Sequence, residues 1–100
     1  MNLRSSRIET NGPLDAIELF YEKGWTDGLP VIPPTEERIE AMLAAANLEP
    51  DTILGAIPER GRVFTAEVVA INAVMAGCLP AYFPVVVTAV SAISDPAFGL

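Results

Sequence analysis

From Val68 to Ser94 the chain carries no charged residue. A run of that length could cross a bilayer as one helix. Gly77, Pro80 and Pro84 interrupt its middle, however, and no aromatic-plus-basic flanks anchor its ends. The pattern instead predicts two short helices folded as a buried hairpin, with the elbow at Gly77-Cys78-Leu79-Pro80. The first helix is expected to start at a Thr65 cap and stop near Ala76. Its apolar residues fall on every side, which predicts burial all round. In the second, Pro80 suits the first helical position, where a missing N–H does no harm. Pro84 either marks the true start or bends the first turn. Val85, Val86 and Val87 have strand propensity, and Ser94-Asp95-Pro96 ends the element.

The preceding sequence is more polar. Residues 1–12 read as a polar N-terminal arm or tail, and residues 13–100 as one helical domain. Leu14 to Lys23 is expected to be a helix, with Ile17, Phe20 and Tyr21 on one face and Gly24 as its left-handed cap. Asp27-Gly28 signals a turn, and Pro30, Pro33 and Pro34 hold Val31 and Ile32 extended. Thr35 is placed to cap a second helix, with Glu36 and Glu37 near its positive end. Ile39, Met42, Leu43 and Ala46 form its apolar stripe, and Asn47 closes it. Between Leu48 and Arg62, prolines and glycines leave room for a helical turn or a short strand near Thr52 to Ile57, and Val63-Phe64 can add an edge strand. The fold class expected is mainly α with minor β.

Half of the residues are hydrophobic (51%) and mean hydropathy is +0.39. That is a heavy apolar load for 100 residues, because a small domain buries a limited share of its surface. Either the chain packs into an unusually dry core, or part of that surface is covered by another chain. The net charge of −7 argues against nucleic acid and against an anionic membrane surface. A single cysteine excludes an internal disulfide and suggests a reduced, cytoplasmic setting. The first twelve residues lack the apolar core of a signal peptide.

Few residues carry candidate chemistry. Cys78, at an elbow before a helix start, can serve as nucleophile or soft-metal ligand, or simply as a small buried hydrophobe. The chain has no His, so a Cys–His pair within it is excluded. Asn72, in a helix expected to be buried, needs hydrogen-bond partners and either bonds backbone or faces a pocket. Glu67 lies in the first turn of the same helix, where the helix dipole accounts for it without catalysis. Asp27 suits an Asx-type turn. Paired-Cys or His metal spacing, a phosphate-cradling loop and a nucleophile elbow are all missing from the sequence. A metal would have to combine Cys78 with carboxylates or with another chain.

Two segments, GWTDGLPVIPPTEERIEAML and VAINAVMAGCLPAYFPVVVTAV, resemble the N-terminal part of a bacterial family of largely undefined function. In that family W-T-D-G-L-P-V-x-P-P-T precedes A-I-N-A-V-M-A-G-C. The similarity covers roughly Leu14 to Phe98. Members are often encoded beside, or fused to, a small domain with a (selenocysteine/cysteine)-G-S-C motif, and they continue past D-P-A-F into a larger C-terminal region. The resemblance therefore implies a split version completed by a second polypeptide: a small subunit of a heteromeric enzyme acting on a small molecule. It implies sulfur or redox-linked lyase or hydrolase chemistry at the subunit interface and specifies no cofactor. Cys78 would be nucleophile or thiolate ligand, Glu67 would move a proton, and Asn72, Asp27 and Trp25 would bind substrate. The competing expectations are a non-catalytic stabilising subunit and a self-assembling binding module.

Overall fold

A computed structural model describes residues 1–27 and 31–98. In chain order it has α1 (Pro13–Glu22), α2 (Glu36–Ala45), β1 (Ile53–Ile57), β2 (Arg62–Thr65), α3 (Ala66–Met75) and α4 (Phe83–Ile93). Short 3-10 turns lie at Pro58–Arg60, Pro80–Tyr82 and Pro96–Phe98. The architecture is mainly α with one antiparallel two-stranded sheet. The expected Asp27-Gly28 turn, Pro30 and Leu100 fall wholly or partly outside the described residues.

Local chemistry sets the helix ends. Pro13 opens α1, where its missing N–H costs nothing. Thr35 and Thr65 cap α2 and α3: each hydroxyl accepts the N–H three residues on, from Arg38 and Val68, at 3.3 Å. The next two free N–H groups of α3 donate to loop carbonyls, Ala66 to Thr52 at 2.7 Å and Glu67 to Pro50 at 2.9 Å.

Three helices end in one motif. Gly24, Asn47 and Gly77 take left-handed backbone angles, with φ of 73°, 55° and 85°. Each donates its N–H three residues back, and the following residue, Trp25, Leu48 or Cys78, donates five back, to Phe20, Leu43 or Ala73. This is the Schellman arrangement, whose last residue normally makes an apolar contact with the helix it closes. At α1 that contact is Trp25 on Phe20, with ring centroids 5.7 Å apart.

The core lies between α2, α3 and the start of α4. Ile39, Met42 and Leu43 pack on Ala66, Val69, Ala70, Ala73 and Val74, and Phe83 closes the cluster. The alanines let α2 and α3 approach closely. The Pro-rich segment is tied on by the Ile32 N–H, which donates to the Met75 carbonyl at the end of α3.

The sheet meets α4 at a close backbone approach. Ser91 donates to the Leu54 carbonyl at 3.2 Å, and a methyl placed on Gly55 would run into the Ser94 side chain, 2.6 Å from its Cβ. Gly55→Ala is therefore expected to cost about 1–3 kcal/mol through overpacking. Chemical denaturation measures it, and an unchanged midpoint would show that Ser94 swings aside freely.

The hairpin departs from expectation in three ways. First, α3 is not buried all round. Val68, Asn72 and Ala76, at four-residue spacing, form an exposed stripe, while the opposite side packs on α2. Second, α4 has a single buried residue, Phe83. Third, Pro80 opens a separate 3-10 turn and not the helix; α4 starts at Phe83, so Pro84 marks the true start, one of the two roles expected for it.

Candidate functional site

Helix α3 acts as a spacer between two concave regions. At its first turn, Glu67 is buried at 5% exposure. Its carboxylate points to the N-terminal arm, where the Arg4 N–H donates to both oxygens (3.0 and 3.2 Å) and the Ser5 N–H donates to one (2.8 Å). Burial pushes this carboxyl up. The Arg4 and Ser5 N–H groups, the Ser5 hydroxyl and the Arg4 charge outweigh that and hold it below its ordinary value of 4.5. The arm thus uses an acid in place of a strand partner.

Beside this latch is a cavity of ≈ 410 Å³, floored by Ala16, Phe20 and Ile39 and walled by Trp25, Pro33 and Pro34. Arm residues and Glu67 line the remaining side, and the cavity is half-open. The Lys23 ammonium lies 5.6 Å from the Trp25 ring centroid, a cation–π contact at the rim. A second, more polar recess, formed by Met1, Asn2, Arg4, Glu49, Asp51 and Thr65, lies on the other side of Glu67.

The opposite end of α3 carries Cys78. Its thiol is half-buried and donates to the Leu79 carbonyl at 3.4 Å. It lines a cavity of ≈ 390 Å³ with Arg38, Glu37, Met42 and Leu79. Because α4 begins five residues later, Cys78 does not sit at an α-helix N-terminus; it is the closing residue of the α3 Schellman motif.

The five candidates therefore divide. Trp25 and Glu67 meet at one cavity. Asp27 is exposed shortly beyond Trp25. Cys78 is separated from Glu67 by the length of α3, about 15 Å at 1.5 Å per residue. Asn72 is exposed on the free stripe, its amide donating to the Val68 carbonyl one turn back at 2.9 Å, so the buried-amide reading does not apply. Sequence reasoning did not single out Arg38 beside Cys78 or Arg4 and Ser5 on Glu67. Contacts spanning 62 and 63 residues leave no local pattern.

Among the described residues no group of three or more His, Cys, Asp or Glu is placed to hold a metal ion. Likewise, no described helix is long and apolar enough to cross a membrane. The fold defines a small, mainly α protein whose described residues form separate recesses at the two ends of α3. No family model, curated protein or solved structure matches the chain.

Proposed function

We propose that this chain is the small subunit of a heteromeric enzyme and docks a larger chain through α4. The observation that carries the reading is the free face of that helix. Tyr82, Val85, Ala89 and Ile93 share one side at helical spacing, and all are exposed, Val85 at 69%. The helix carries no charge anywhere. A folded monomer of 10.6 kDa exposes about 5,500 Å², whereas this chain exposes 6916 Å². The excess of about 1,400 Å², to which the arm and α4 both contribute, exceeds the roughly 800 Å² each partner commits to a standard interface.

Cys78 and Arg38 line one recess with Pro80 and the exposed Leu79, the residues that lead towards α4. A partner seated on the helix would close that recess, leaving a guanidinium to hold an anionic small molecule near a thiol. The groups still needed, above all a base, would come from the larger chain, because Glu67 is committed to the arm. A second reading, a non-catalytic stabilising subunit, is favoured by the Schellman role of Cys78, which accounts for its place without chemistry.

Native mass spectrometry of the protein purified mildly from its own cells tests the assignment. The expected result is a complex with a larger chain, lost in Val85→Asp while circular dichroism stays native. A homo-oligomer or a lone monomer would sink it. Within such a complex, Cys78→Ser is expected to leave assembly intact and lower activity at least tenfold; full activity would select the stabilising role.

A further inference from the structure

We infer that the 410 Å³ cavity under the N-terminal arm is a binding site for a neutral, planar, apolar small molecule, with the arm as a strap latched by Glu67. The site lies at the Glu67 end of α3, away from the Cys78 recess, and does not depend on the subunit assignment. Its volume falls within the range of small-molecule pockets, about 300–1,000 Å³.

The chemistry of the walls selects the ligand. Two aromatic rings, Phe20 and Trp25, stand with Pro33, Pro34 and Ile39 around the space. The cavity is half-open, so an apolar guest seated in it would take the exposed Trp25 ring and the half-buried Pro33 and Pro34 out of water. Each charged group at the cavity already has a partner. Glu67 is held by the arm N–H groups, and Arg7 pairs with Glu36 at 2.7 Å. A charged guest would lose its hydration and find no free counter-charge among the lining residues, and Lys23 at the rim is engaged on the Trp25 ring, so a neutral one is selected. Rings match the flat proline and tryptophan surfaces.

The strap follows from how the arm is attached. Residues 1–12 contain no helix or strand and are mostly exposed. Their named ties to the body are the Glu67 bonds, the exposed Arg7–Glu36 pair and the packing of Leu3 on the core. The three backbone bonds to Glu67 are the arm's buried polar tie, so loosening them leaves it held by the exposed Arg7–Glu36 pair and by Leu3.

The test uses N-phenyl-1-naphthylamine, a neutral fluorophore, on the full chain. Trp25 is the chain's single tryptophan, so energy transfer from it to the dye reports the location without any variant. Saturable binding with strong transfer is expected. Ala16→Leu, which fills the floor, is expected to weaken binding by about tenfold or more. If that variant unfolds, Trp25→Ala, read by dye emission, takes its place with the same expectation. Val85→Asp is expected to change nothing. Glu67→Gln, with one acceptor oxygen and no charge, is expected to speed dye association severalfold by stopped flow.

No saturable binding, or binding without transfer, overturns the site. So does loss of binding in Val85→Asp, which would put the dye on α4. An unaltered association rate in Glu67→Gln overturns the latch.

Discussion

Phe83→Ala is expected to remove about 3–5 kcal/mol of folding stability, the usual loss for a fully buried phenylalanine. Phe83 has no exposed surface and is among the largest fully buried side chains of the protein. It is also the single buried residue of α4. The helix is otherwise held by half-buried Val86, Val87 and Val90 and by its serines at the sheet. Truncation leaves a void where α2, α3 and α4 converge, and α4 has no other deep anchor. Small domains are stable by only about 5–15 kcal/mol, so much of the total is at stake. Urea unfolding is expected to show a lower midpoint at similar slope, and hydrogen exchange to show α4 opening before α3. A loss under 1 kcal/mol would mean that α4 is held by its valines and not by this ring.

The second large effect is acid release of the arm. The folded-state pKa of Glu67 is depressed, so in the titrating range the unfolded chain binds more protons than the folded one. The stabilisation is complete above the unfolded value, near 4.5, and is lost as pH falls through the folded value. Protonation removes the charge that attracts the two N–H groups and Arg4. The arm should then lift, with amide protection at Arg4 and Ser5 falling before that of α3. Glu49, Asp51, Glu36, Arg7 and the amino terminus also line the recesses around Glu67. The wild-type curve must therefore be compared with Glu67→Gln, in which the acid step is expected to vanish from the Trp25 emission profile. An identical step in both proteins would assign it to those neighbours.

Much of the helical frame was legible in the sequence. Thr35 and Thr65 announced starts, while Gly24, Asn47 and Gly77 announced stops, because capping is satisfied within a few residues. The α2 stripe of Ile39, Met42 and Leu43 was equally plain, and the short strands fell where turn residues left room for them.

The candidate site was less legible. Cys78 stood out as the single cysteine at the elbow and Trp25 only through the resemblance, but each also closes a helix, and closing residues are chosen partly for packing. Trp25 and Glu67 looked unrelated at 42 residues' separation, yet they line one cavity. Asn72 looked buried because its neighbours are apolar. Hydropathy records a demand for cover and not the side from which cover comes. In α3 that demand is met on one side by α2, and in α4 it is met chiefly at Phe83.

By itself, then, the sequence determined the caps that start α2 and α3 and those that end α1, α2 and α3, the mainly α class and the heavy apolar load. These rest on short-range hydrogen bonds and on composition. Only the tertiary structure decided that Glu67 grips the arm, that Gly55 must lack a side chain beside Ser94, and that α4 keeps an apolar face open. Each depends on which distant segments meet, and that is set by packing the whole chain at once rather than by any local pattern.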